Sequence, residues 1–254
     1  MAGHSHSANI RHRKDRVDAK KGKAFSKLGK ALAVAARQGG RDVDGNPALR
    51  LAVEKAKAAN MPKDTIERAI LKGSGDLEGS SFEEITYEGY GPSGVAILLD
   101  ILTDNKNRTA SEIRKLFDRS GGNLAGSGSV AWMFQPKGII LLNQEAIDED
   151  SLMELALESG AEDVQSVDAM FEVTCAPADF TQLSDAIEAR GIEPELAEVT
   201  KLPQNTVKLE DSVARKVLRL AEALDDHDDV QNVYANYELS EKMLAELNEE
   251  PAAS

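Results

Sequence analysis

A helical domain followed by two α+β domains, one inserted in the other, is the multidomain α and α+β architecture that this sequence predicts. Three observations carry it. The hydrophobic period changes from helical to strand-like near residue 82, after the Gly- and Ser-rich linker GSGDLEGSS. Residues 137–202 alternate as β-α-β-β-α-β. The helix and strand that follow Pro203 lack partners of their own unless they return to the sheet begun at residue 82. The expected domains are residues 1–75, residues 80–135 with 204–240, and residues 137–202.

Charge sets the first domain apart. Residues 1–75 hold 17 Lys/Arg against 7 Asp/Glu, a net of +10, and residues 76–254 hold 13 against 37, a net of −24. Such asymmetry suggests one domain facing phosphate and others repelled from it. Residues 1–14 show no period and read as a mobile arm that orders on its partner. From about Asp15 to Gln38 the pattern is helical, with Phe25, Leu28, Leu32 and Ala35 on one face. Lys20, Lys23, Lys27, Lys30 and Arg37 cluster roughly 150° away from that stripe. Gly39-Gly40 stops the helix. Asn46-Pro47 offers an N-cap and a proline at the first position of a second helix, which turns Leu49, Val53 and Ala56 inward. Met61-Pro62 interrupts, and a third short helix carrying Ile66, Ala69 and Ile70 ends at Gly73.

Beyond the linker, FEEITYEGY reads as a strand running into the tight turn GYGPSG, and VAILLDIL as a buried strand. DNKNRT caps a helix whose inner face includes Ile113, Leu116 and Phe117. GGNLAGSGS reads as a flexible loop and VAWMF as another strand. In the third domain GIILLN, DVQSV, AMFEVTC and PELAEVTKL are strands. DEDSLMELALESG, with Leu152, Leu155 and Ala156 inward, and DFTQLSDAIEARG are helices. That order is ferredoxin-like. VKLEDSVARKVLRLAEALDD then supplies a helix and VQNVYANYEL a strand, before an acidic tail, residues 241–254, expected to fray.

Composition narrows the function. The longest apolar run, Val95 to Leu99, is far too short to span a bilayer, and the N-terminus lacks the apolar core of an export signal. A single cysteine, Cys175, excludes an intrachain disulfide and fits a reducing cytoplasm; in FEVTC it reads as a buried structural thiol. His227 is the only histidine outside the first twelve residues, so no Ser-His-Asp arrangement suggests itself, and no enzyme or cofactor is expected. His4, His6 and His12 lack the spacing and companion ligands of a metal site.

The expected nucleic-acid contacts are His4, Asn9, Arg11, His12, Arg13, Lys14, Arg16, Lys20, Lys21, Lys23, Lys27 and Lys30. Their cations would displace condensed counterions, with a salt slope near −0.9 per phosphate on duplex DNA. Phe25 is the one aromatic in residues 1–75 and belongs to the core, which disfavours base stacking and favours backbone recognition. Asp104, Asn105, Lys106, Asn107 and Arg108 form an expected second contact loop, since two Asn, a Lys and an Arg exceed what a helix cap needs. GYGPSG matches no phosphate loop. DDHDD, residues 225–229, lacks the glycine and ligand spacing of a calcium loop and reads as a solvated helix end.

GHSxxANIxHRK (Gly3 to Lys14), KAxNMPKDxIERAIxKGxG (Lys57 to Gly75), GYGPxGVAIL (Gly89 to Leu98) and LTDNKNRT (Leu102 to Thr109) resemble the YebC/PmpR family. So do SVAWMF (Ser129 to Phe134), LMELALESGAEDV (Leu152 to Val164) and DDVQNVYAN (Asp228 to Asn236). The resemblance implies the same three-domain fold and a cytoplasmic regulator of transcription that binds DNA. Some family members are tied to translation instead, which implies ribosomal RNA and the ribosome as the alternative partner. Protein contacts would then fall to the acidic α+β domains, on a monomer with no membrane association. His6-Ser7 stands where the family pattern has Lys-Trp, so this chain lacks any stacking or anchoring role of that tryptophan.

Overall fold

The computed structural model describes residues 21–74, 82–167 and 169–249. The expected arm, the helix start before Lys21, most of the linker and residues 250–254 lie outside them. The described chain gathers into two compact units. One runs up to Ala131 and adds Glu210–Ala235; the other holds Trp132–Leu209 and Asn236–Glu249.

The first unit opens with three helices, α1 (Lys21–Gly39), α2 (Pro47–Ala58) and α3 (Lys63–Gly73). The inward residues read from the period form one core: Leu32, Ala35, Leu49, Val53, Ala56 and Ile66 are buried, with Phe25, Leu28, Ala69 and Ile70 packed against them. Asn46 joins α1 to α2. Its Oδ1 accepts from Leu49 N (3.1 Å), and its amide donates to the carbonyls of Ala35 and Gly40, both at 2.8 Å. A buried amide with these partners fixes the turn that Gly39-Gly40 begins. Gly73 meets α1 so closely that a Cβ there would lie 2.0 Å from the Ala33 carbonyl oxygen.

The same unit continues with β1 (Glu83–Tyr90), β2 (Ala96–Thr103), α4 (Lys106–Arg119) and the short β3 (Asn123–Leu124). The β1–β2 turn is tight as expected, with Ser93 at φ 59° and Gly94 at φ 76°. After the second unit's chain segment come α7 (Asp211–Asp225) and β9 (Val230–Ala235), and β9 pairs antiparallel with β2. The sheet order is β3-β1-β2-β9. Thus the strand left without a partner in the sequence does find one upstream.

The second unit is built on β4 (Phe134–Asn143), α5 (Glu149–Glu158), β5 (Ala161–Val167), β6 (Met170–Cys175), α6 (Phe180–Ala189) and β7 (Leu196–Pro203). Its sheet order β5-β6-β4-β7, all antiparallel, is the ferredoxin-like arrangement. Ile140, Leu142, Phe171, Val173 and Cys175 pack under Leu152, Leu155, Leu183 and Ile187. Burial raises the Cys175 thiol above its ordinary pKa, in keeping with a structural role.

Four expectations are corrected. VAWMF is not a strand of its own: Ala131–Met133 form a 3-10 turn, and Phe134 already belongs to β4. Pro136 is tolerated inside β4 because residues 134–137 pair with β7 alone, so its missing N–H costs no ladder bond on the other side. VQNVYANYEL divides at Asn236 into β9 and β10 (Tyr237–Glu238), the latter pairing in parallel with β8 (Val207–Lys208). Residues 241–249 form helix α8 with Met243 buried, rather than fraying. Lastly, GGNLAGSGS is pinned, through β3 pairing with β1 and through Glu88.

Candidate functional site

Lys27, Lys30, Val34 and Gln38 recur at helical spacing and form a second stripe on α1, opposite the bundle core. That face is covered. Lys27 Nζ reaches the Asp225 carbonyl oxygen at 2.6 Å and its carboxylate at 3.4 Å. Lys30 Nζ donates to the Asp228 carbonyl at 2.8 Å and to Asp229 Oδ1 at 2.6 Å. Gln38 bonds Glu84 at 2.9 Å, and Val34 is buried. Asp225 is the last residue of α7, where free carbonyls and the helix dipole both favour a cation. Two of the basic residues read as phosphate contacts therefore already hold acidic partners within the chain.

DDHDD is not a solvated helix end. Asp229 is 3 % exposed and is the hub of a polar cluster. Its Oδ2 receives Arg108 Nη2 at 2.8 Å and the Thr109 hydroxyl at 2.7 Å, with the buried Thr103 hydroxyl 3.3 Å away. Burial pushes the Asp229 carboxyl upward, but the hydrogen bonds from Lys30, Arg108 and Thr109 outweigh it and hold its pKa far below the carboxylate range. The same pairing raises Arg108.

The loop read as a second contact site supplies the cluster's frame. Asn105 is the N-cap of α4, accepting from Arg108 N at 3.1 Å, and its own N–H donates to Thr103 Oγ1 at 2.9 Å. Arg108 bridges Asp104 (3.0 Å) and Asp229, and Lys106 pairs with Glu83. Asn107 is exposed. Of the remaining expected contacts, His4, Asn9, Arg11, His12, Arg13, Lys14, Arg16 and Lys20 lie outside the described residues, as do the side chains of Lys21 and Lys23.

Glu112, His227 and Asp229 gather within 4.8 Å, close enough for a metal ion. Their ligand atoms are already engaged, however. His227 Nδ1 accepts from Asp229 N at 3.1 Å, leaving Nε2 to meet Glu112 at 3.0 Å, while both Asp229 oxygens face cations. A divalent ion would have to displace Lys30 and Arg108. This is an ion-pair cluster in its chemistry, not a metal centre.

A second buried carboxylate escaped the sequence reading. Glu88 falls on the polar parity of β1 with Glu84 and Thr86, yet it is only 3 % exposed. Its oxygens accept from the backbone N–H groups of Gly128 (2.6 Å), Val130 (2.6 Å) and Ala131 (2.8 Å). Burial pushes its pKa up, but the backbone bonds outweigh it and leave it lowered. Nothing near Glu88 in the sequence signals this, because the loop that binds it lies forty residues on.

An open cleft of about 720 Å³ lies over the hub, with Lys30, Arg108, Lys115 and Arg119 facing Asp226, His227 and Asp228. Elsewhere on the helical bundle, Arg50, Lys55, Lys57, Lys63, Arg68 and Lys72 are exposed.

Residues 5–76 match the TACO1/YebC protein N-terminal domain, and residues 82–237 the TACO1/YebC second and third domain. A protein of Natranaerobius thermophilus named probable transcriptional regulatory protein is 55 % identical over 96 % of this chain and 99 % of its own. One of the same name from Desulfatibacillum aliphaticivorans is 54 % identical over 97 % and 100 %. The crystal structure of a conserved hypothetical protein from Aquifex aeolicus superposes with a TM-score of 0.77 at 46 % identity, covering 89 % of this chain and 93 % of that one. With matches of that extent over both halves, the chain belongs to the TACO1/YebC family.

Proposed function

We propose that this protein is a non-enzymatic, cytoplasmic, monomeric regulator of transcription that binds duplex DNA through its basic N-terminal domain, residues 1–75. The observation that carries this reading is the charge division: +10 over residues 1–75 against −24 over the rest. The relatives' name, probable transcriptional regulatory protein, supports it. Contacts are assigned to His4, Asn9, Arg11, His12, Arg13, Lys14, Arg16, Lys20, Lys21 and Lys23, together with the exposed cations of α2 and α3. Lys27 and Lys30 serve instead to hold α1 against Asp225 and Asp229. With Phe25 in the core, affinity rests on phosphate, and binding is steeply salt-dependent.

Ribosomal RNA offers the same phosphate chemistry, so the test has two arms. Duplex binding is titrated against salt for the wild type and for a variant with Arg11, Arg13, Lys14 and Arg16 each changed to Gln. Lysate is also sedimented with and without ribonuclease. The proposal expects salt-sensitive duplex binding whose slope falls by roughly 3 to 4 in the variant. Comigration with ribosomal particles that ribonuclease abolishes, without duplex binding, would replace DNA by ribosomal RNA. An unchanged variant slope would remove the N-terminal segment from the interface.

A further inference from the structure

Beyond residue 75, Lys and Arg are densest on one helix. Of the 13 Lys/Arg beyond residue 75, five lie on the 14-residue helix α4: Lys106, Arg108, Arg114, Lys115 and Arg119. Lys106 and Arg108 are engaged by Glu83, Asp104 and Asp229. Arg114, Lys115 and Arg119 are exposed, and among the described residues no acid pairs with them. Lys115 and Arg119 line the cleft that Lys30 of α1 also lines, so this wall adjoins the basic helical domain. Arg114 precedes Lys115 on the same exposed side of the helix and does not line the cleft.

We infer that Arg114, Lys115 and Arg119 form a second phosphate-contact surface, which extends the proposed DNA interface from the helical domain onto α4. The inference rests on the proposed function, because it assumes the same duplex. Lys115 and Arg119 stand one turn apart, about 6 Å along the axis. That spacing lets the two side chains reach neighbouring phosphates of one strand. The acids that share the cleft explain why contact falls on the α4 wall. Asp104 and Asp229 are paired with Arg108, Asp229 also with Lys30, and Glu112 is held by His227, whereas the exposed Asp228 repels a phosphate. A duplex is therefore pushed outward, toward Arg114, Lys115 and Arg119.

The experiment compares three full-length proteins on one mixed-sequence DNA duplex across a salt series. They are the wild type, R114Q/K115Q/R119Q on α4, and R215Q/K216Q/R219Q on α7. The α7 variant removes the same charge from the same compact unit. Thermal unfolding confirms that both variants fold, since all six residues are exposed. The inference expects the log–log salt slope of the α4 variant to fall by roughly 2 to 3 while that of the α7 variant stays near wild type. Equal slopes in the α4 variant and the wild type would overturn it, and so would equal losses in both variants, which would mark a general field effect. If the wild type binds and only the α4 slope is unchanged, the proposed function stands without this extension. If the wild type shows no salt-dependent binding, both fall together.

Discussion

Asp229 and Glu88 are both buried carboxylates in the first compact unit, held ionised by different means. Asp229 is surrounded by side chains from distant parts of the sequence: Lys30 on α1, Arg108 and Thr109 on α4. Glu88 is surrounded by backbone N–H groups of one loop, at Gly128, Val130 and Ala131. The first ties a helix of the bundle to the sheet beside it; the second shapes a local loop. A carboxylate answered by side-chain cations can join elements that lie 199 residues apart, whereas one answered by main chain orders what is near it. Each costs desolvation, and each is viable only because all its oxygens find donors.

Substituting Asp229 tests the larger of the two roles. Asp229→Ala should destabilise the unit by about 3 kcal/mol, the low end for breaking a buried pair, because Arg108 is 45 % exposed and can recover solvent. Denaturant titration measures it. The same variant should flatten the acid limb of stability. Because the folded pKa is depressed, the contribution is present above the unfolded value and is lost as pH falls below roughly 4. A wild-type acid limb retained in Asp229→Ala would show that other carboxylates govern it.

Glu88→Gln comes next. It keeps the shape, removes the charge and turns an amide NH2 toward backbone donors, so a loss of about 2 kcal/mol is expected. Faster amide exchange should be confined to residues 125–131. Spread of that exchange into α1 would deny the local character assigned to Glu88. Lys63→Ala is the smallest change: its partner Glu67 lies 3.7 Å away on an exposed helix face, and a shift below about 0.5 kcal/mol is expected. A larger shift would mean that exposed pairs matter here as much as buried ones, which the contrast with Asp229 denies.

Much of the fold was legible. Leu32, Leu49, Val53 and Ile66 were inward by period and are buried. The β-α-β-β-α-β order gave the ferredoxin-like unit, and the unpartnered strand after α7 did return to β2. Misreadings gathered where local pattern and long-range contact disagree. Glu88 alternates as a solvent-facing residue and is buried by a loop forty residues on. DDHDD has the composition of a solvated end, but its final acid is covered by a helix nearly two hundred residues upstream.

By itself, the sequence determined the periods of the elements, their caps and turns, the family and the division of charge, because each depends on neighbours within a few residues or on composition. Tertiary structure alone decided which charges remain available. Lys27 and Lys30 look like Lys55 or Lys115 in one dimension. They differ because the carbonyls and acids at the end of α7 meet one pair and leave the others to solvent. Electrostatic partnership acts through space at a few ångströms, and no period in the chain encodes that distance.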